Sequence, residues 1–288
     1  MPTGLLVVDK AAGLTSHDVV AQARRRLRTK KVGHAGTLDP DATGVLLLGV
    51  GPVTRLLKLL TALPKAYTCE VVLGAETSTL DDSGEVTARH DMAGVTLAQA
   101  RAATAGLTGD ILQIPPMVSA VRVGGRRLHE LAREGIEVER AARPVTVHRF
   151  DVVGEVAPGT FAVEVDCSSG TYVRTLVADL GAALGGGAHL RALRRTAIGP
   201  FDAGRSASVG EAELLPAGEA VRFLPQVPVL GDVVDLVRRG RRLSRTGQEV
   251  AFEGPGPWAV VEASSGDLLA VYRLAGEQAV PDVVLPAG

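Results

Sequence analysis

The sequence predicts an α+β protein with mainly antiparallel strands, built as a large domain followed by a small one. Two hairpin signals carry this: runs 145–153 and 160–167 flank Pro158-Gly159, and runs 258–263 and 268–272 flank Ser264-Ser265-Gly266-Asp267. Helical patterns are interspersed among them. The third observation is size, because 288 residues at 46% hydrophobic content supply one large core and a smaller second one. The longest apolar runs, such as Val45 to Val50, fall far short of the roughly 18 residues of a membrane helix. The N-terminus lacks a signal peptide's apolar segment, so the expected location is cytoplasmic with no membrane partner. Cys69 and Cys167 lie in apparent strands without CxxC spacing or histidine clusters, which excludes a zinc site or disulfide framework and reads as two buried small side chains. A net charge of -1 and a pI of about 6.6 argue against a general nucleic-acid binder, although local distribution overrules a total.

In chain order, Leu5 to Val8 is a short strand, and Thr15-Ser16-His17-Asp18 has the spacing of a capped helix start. The helix that follows buries Val20, Ala23 and Leu27 and turns Arg24, Arg25, Arg26, Arg28, Lys30 and Lys31 outward. That basic face suits either plain solvation or RNA phosphates. Next comes Gly33-His34-Ala35-Gly36-Thr37-Leu38-Asp39-Pro40-Asp41-Ala42-Thr43-Gly44, read as a loop leaning on the apolar strand Val45 to Val50. Its glycines permit positive φ or close approach of another molecule, and Pro40 pushes Asp39 toward extended backbone. The same residues also read as an ordinary polar turn. Pro52 opens a helix carrying Leu56, Leu57, Leu59 and Leu60.

Lys65 to Leu73 alternates as a strand with Tyr67, Cys69, Val71 and Leu73 on one face. A polar turn at 78–84 precedes an alanine-rich helix from Thr96 to Ala105. Gln113-Ile114-Pro115-Pro116-Met117 is irregular, Val118 to Val123 resumes a strand, and Gly124-Gly125 turns the chain into a basic helical excursion from Arg126 to Arg143 that Pro144 ends. Ser168 to Thr171 supply caps for a helix with a stripe of Val173, Leu176, Val177, Leu180 and Leu184, leaving Tyr172 and Arg174 on its flanks. A cation in a first turn faces the positive helix end, so a negative group is expected beside Arg174. His189 to Ile198 adds Arg191, Arg194 and Arg195. An irregular connection leads to a domain boundary near residue 225, and a helix from Val233 to Arg242 precedes the second hairpin.

No P-loop, dinucleotide GxGxxG, HExxH or GxSxG signature is present. Asp39, Asp41 and Thr43 resemble the DxDxT loop of haloacid dehalogenase-type phosphatases, with Asp81-Asp82 as a magnesium pair. In that family, however, the motif ends an apolar strand, whereas here the strand follows it.

A closer resemblance comes from several blocks in order. The Gly33 to Gly44 stretch resembles the aspartate motif of the TruB-type tRNA pseudouridine synthases. Gly4-Leu5-Leu6-Val7-Val8-Asp9-Lys10 with Gly13 and Thr15-Ser16 resembles their opening motif, and Lys65-Ala66-Tyr67 their tyrosine motif. Gln113 to Ala120 resembles their proline block, and Ser169 to Leu176, followed by Gly187 to Arg195, their arginine region. Ala11 stands where the family has proline, and His129 where tyrosine is common. The resemblance covers residues 4–200, and the C-terminal part is loosely similar to the family's PUA-type RNA-binding domain.

The resemblance implies a pseudouridine synthase fold, with catalytic domain 1–225, including a basic excursion at 122–143, and PUA-like domain 226–288. It implies isomerisation of uridine 55 in the T-loop of tRNA, without cofactor or metal, by a monomer. Asp39 is the implied catalytic carboxylate, acting at C1′ or through C2′. Arg174 is its implied partner, holding that carboxyl below its usual range, and Tyr67 stacks on the base and is a candidate for helping remove the C5 proton. The uridine must leave its stack. His34 would fill the vacancy, Tyr172 and Leu193 would wall the pocket, and Lys10 and Gly36 would contact substrate. Arg24, Lys31, Arg126, Arg127 and Arg195 are the implied RNA-backbone contacts. Asp41 receives no role and reads as a solvated loop residue. A non-catalytic RNA-binding or tRNA-folding module is the alternative class.

Overall fold

A computed structural model describes residues 1–119, 121–245 and 250–286, leaving out the side chain of His129; Ala120 of the proline block falls outside the described residues. β1 (Gly4–Lys10) leads to α1 (Ser16–Arg26), whose start is locked by a capping box. Thr15 Oγ1 accepts from Asp18 N at 3.1 Å, and Asp18 Oδ2 accepts from Thr15 N at 2.9 Å. β2 (Val32–Ala35) and β3 (Thr43–Val50) follow, so the glycine-rich stretch expected to be all loop begins as a strand. The reason is local: His34 and Ala35 find backbone partners in Leu48 and Leu47, while Val32 and Ala35 bury their side chains. A 3-10 turn at Gly51–Leu56 and α2 (Leu57–Ala62) replace the single helix expected after Pro52.

Next come β4 (Lys65–Leu73), β5 (Ala75–Thr77), β6 (Val86–Arg89), α3 (Leu97–Ala103) and β7 (Gly109–Gln113). Instead of a strand over 118–123 and a helix over 126–143, the chain makes a small hairpin of β8 (Arg122–Val123) and β9 (Arg126–Arg127), then a short α4 (Leu128–Arg133). Gly124 and Gly125 take φ of +58° and +85° and close the hairpin. Gly135, at +70°, stops the helix early. β10 (Arg143–Ala157) contains Pro144 near its start, opposite Leu112 of β7, where a missing N–H is tolerated; the proline begins a strand and does not end a helix. β11 (Thr160–Cys167) pairs with β10 around Pro158-Gly159 as expected.

α5 (Val173–Ala183) starts without the expected side-chain cap, because Ser168 Oγ accepts from Thr146 N of β10 at 2.9 Å. β12 (Ala188–Ile198), β13 (Phe201–Asp202), β14 (Gln226–Val229), α6 (Asp232–Arg238), β15 (Leu243–Ser244), β16 (Trp258–Glu262), β17 (Leu268–Ala275) and β18 (Gln278–Val284) complete the chain.

The chain divides into two compact units, residues 1–40, 44–62 and 199–288, and residues 41–43 and 63–198. In the first, β3 pairs antiparallel with β1 and β2, Val50 lying opposite both Gly4 and Val32. Val19, Val20 and Ala23 of α1 pack on Leu6, Val8, Leu46 and Leu48 of these strands, the 3.6-residue stripe meeting the alternating face of the sheet. The same unit carries a five-stranded sheet in the order β14-β16-β17-β18-β15, with Trp258, Phe252, Tyr272 and Val237 at its core. In the second unit the order β12-β4-β11-β10-β7 is antiparallel throughout. Lys65, Tyr67, Cys69 and Val71 are the buried alternate positions of β4. Burial pushes the Cys69 thiol up to about 12 and the Cys167 thiol to about 11, so both are inert buried side chains.

Candidate active site

In the first unit, Gly36 takes φ +87° as the chain leaves β2, a turn that suits glycine, and the half-buried Asp39 follows. The backbone on both sides of Asp39 is held. Ser16 Oγ accepts from Leu38 N at 2.9 Å and donates to Leu38 O at 3.3 Å. Pro40 O accepts from Lys10 Nζ at 2.8 Å and from Gly13 N at 3.0 Å. The Lys10 ammonium also donates to Leu14 O at 2.7 Å and Ala11 O at 3.0 Å, and the residue is 1% exposed. Donating to three carbonyls from a buried position, Lys10 holds the aspartate loop. His34 stands half-buried on β2, and the ring of His17 meets it edge-on with centroids 5.4 Å apart.

In the second unit, Tyr67 is buried on β4, opposite Val165 of β11 and Arg195 of β12. Arg174 does not project from a helix flank; it is 5% exposed. Its guanidinium donates to Thr79 O at 3.0 Å and Val118 O at 2.8 Å, and Nη1 lies 3.6 Å from Asp81 Oδ2. Asp81 therefore answers the expected need for a negative group near the start of α5. The 78–84 turn that presents it is fastened to β12. Leu190 N donates to Leu80 O at 3.0 Å, Asp82 N donates to Leu190 O at 3.2 Å, and His189 Nε2 lies 2.9 Å from Asp82 Oδ1. These bonds hold Leu80 at φ +63°, a costly conformation for a branched side chain. Asp81 and Asp82 are thus occupied by Arg174 and His189, which corrects their reading as a magnesium pair. Among the described residues, no group of three or more His, Cys, Asp or Glu side chains is placed to hold a metal ion.

Tyr172 is fixed by Gln113, whose Oε1 accepts from Tyr172 N at 2.7 Å and whose Nε2 donates to Tyr172 O at 3.1 Å. Beside it opens a cavity of about 250 Å³ lined by Gln113, Pro115, Arg143, Ser169 and Tyr172. Leu193 follows Ala192, whose φ of +51° marks a bulge in β12 between Arg191 and Arg194; such a bulge re-aims the side chains it carries. Sequence reasoning missed Ser16, Asp81 and Gln113 as functional supports. Only Asp81 had a signal, a first-turn cation that calls for a negative neighbour.

The basic candidates separate. Lys31 and Arg127 are exposed. Arg24 is exposed but donates to Val32 O at 2.9 Å, and Arg126 is paired with Glu134, which raises its already high pKa. Arg195 differs from these four in being buried, at 1% exposed. Nearby Lys65 is buried, with Nζ donating to Leu63 O at 2.6 Å. Burial and then the charge of Arg195 bring its pKa down to about 8.

That folded-state value lies below the lysine reference of 10.5, so the unfolded chain binds the extra proton between the two. Lys65 therefore opposes folding in full below pH 8, and the penalty fades as pH rises from 8 to 10.5. Lys65→Met is expected to gain stability relative to the parent at pH 7. The difference should fall as pH rises through that window, as read by urea denaturation at each pH.

Two family models match the chain: TruB family pseudouridylate synthase (N terminal domain) over residues 24–173, and tRNA pseudouridylate synthase B C-terminal domain over residues 174–217. Curated relatives named tRNA pseudouridine synthase B include one from Nocardia farcinica, 48% identical over 99% of this chain and 94% of its own. Another, from Arthrobacter sp., is 45% identical over 99% and 97%. Among solved structures, a chain of a Cbf5-Nop10-Gar1 complex superposes with TM-score 0.74 at 25% identity, covering 98% of this chain and 85% of that one. A chain of an H/ACA RNP bound to a substrate RNA containing 2'-deoxyuridine gives 0.73 at 24%, over 98% and 85%, a likeness of fold. The α+β class read from the hairpins is the fold these chains share. With adjoining family models over residues 24–217 and relatives near half identical over almost the entire chain, the protein belongs to the TruB family of pseudouridylate synthases.

Proposed function

We propose that the protein isomerises uridine 55 in the T-loop of tRNA to pseudouridine, with Asp39 as the catalytic carboxylate. The observation that carries this reading is the clamp on Asp39: its neighbours' backbone groups are fixed by Ser16 and Lys10, so the carboxylate is presented on a rigid loop. Moving uracil from N1 to C5 attachment breaks a glycosidic bond and forms a carbon-carbon bond without redox change, which an ionised carboxylate acting at the sugar serves without cofactor. Tyr67 stacks on the uracil, Arg174 supplies the positive charge that favours the ionised aspartate, and His34 enters the space the base leaves. Tyr172 and Leu193 wall the pocket of the base, and Gly36 contacts substrate. Lys31 and Arg127, with Arg24 and Arg126 beside them, meet phosphates of the T-arm. Residues 1–225 act as the catalytic domain and 226–288 as a PUA-like RNA-binding domain, in a monomer working in the cytoplasm.

The test is release of tritium from C5-labelled uridine in a T-arm transcript, with a chelator present. One equivalent is expected per transcript, and none when another pyrimidine replaces the target uridine. Tight binding without release would instead make the protein an RNA-binding module.

A further inference from the structure

The first turn of α1 touches two parts of the site at once. Its start is rigid, because the capping box between Thr15 and Asp18 closes it. Ser16, 1% exposed, points inward and holds both backbone groups of Leu38, the residue before Asp39. His17 comes next and, about 100° further around the helix, points outward. It is exposed, and its ring stands at 82° to the ring of His34, with centroids 5.4 Å apart. His34 in turn sits on β2 with its backbone opposite Leu48 of β3, so its main chain is fixed while its ring is held from the side by His17. An edge-to-face aromatic contact fixes the orientation of the ring it meets.

We propose that His17 is a positioning residue that holds the His34 ring in the orientation needed to enter the RNA stack, and that α1 thereby links this insertion to the Asp39 loop through the adjacent Ser16. The proposal rests on the roles given above to His34 and Asp39. A ring that must replace a base in a stack works only over a narrow range of tilt. Without His17 the His34 side chain would sample other rotamers, and the extruded uridine would return to its stack more often than it reacts. His17 touches no reacting atom, so its loss changes the frequency of productive insertion and leaves the chemistry after it untouched.

The experiment is a double-mutant cycle on the full chain with the T-arm transcript. His17→Ala is expected to lower kcat for tritium release about tenfold, with KM within about twofold, since misplacing a positioned group typically costs between ten- and a hundredfold. Adding His17→Ala to His34→Ala is expected to cause no further loss, because His17 acts only through that ring. His17→Phe, which restores an aromatic edge, is expected to recover most of the parent rate. If His17→Ala turns over normally while His34→Ala is impaired, or if the two losses multiply in the double variant, the proposal fails while the reading of His34 stands. If His34→Ala itself is unimpaired, the insertion role falls, and this proposal with it.

Discussion

Arg174→Lys lowers kcat by about a hundredfold or more while RNA affinity stays within a few fold, because the guanidinium does a job that one ammonium does not. Its Nη1 and Nη2 reach two separate segments, Thr79 O at 3.0 Å and Val118 O at 2.8 Å, and Nη1 also faces Asp81 at 3.6 Å. Lysine supplies a point charge on a flexible stem, so it keeps the charge but releases one of those segments. The variant keeps a cation near Asp81 in a site that is 5% exposed and is therefore expected to fold. Removing the charge altogether, as in Arg174→Ala, would leave Asp81 partly buried beside no cation and confound activity with stability. Single-turnover tritium release with saturating enzyme separates the chemical step from binding. A rate within threefold of the parent would show that the fork geometry of Arg174 is not needed.

The fold was legible wherever periodicity and turn chemistry agreed. The capping box at Thr15, the alternation along β4 and the two glycine-containing hairpin turns all placed their elements to within a few residues. Errors arose where a tertiary partner outbid the local signal. Ser168 looked like a helix cap, but its hydroxyl is taken by Thr146 of β10. The arginines of 126–143 looked helical, but two positive-φ glycines made a hairpin first and Gly135 ended the helix early. The site was legible as motifs, not as burial. Lys10, Arg174 and Arg195 are cations, and nothing local tells that they lie at 1%, 5% and 1% exposure. Lys10 and Arg174 became readable only when distant carbonyls or a carboxylate came beside them in the fold, as Pro40 does for Lys10 and Asp81 for Arg174. The turn at 78–84 shows the same limit, since its polar composition said turn while its use is to bring Asp81 to Arg174.

Asp39→Asn is the second large effect and the central one. The substitution is nearly isosteric, and the backbone atoms of Leu38 and Pro40 on either side are held by Ser16 and Lys10. The loop and T-arm binding are therefore expected to survive. What is lost is the ionised oxygen that acts at the sugar, and removing a group of that kind costs on the order of 10⁴-fold or more in rate. The deciding measurement is tritium release from C5-labelled uridine in a T-arm transcript under single-turnover conditions, parent against Asp39→Asn, with binding of the same transcript followed in parallel. Release abolished with binding retained is the predicted result; release at the parent rate would contradict Asp39 as the catalytic carboxylate.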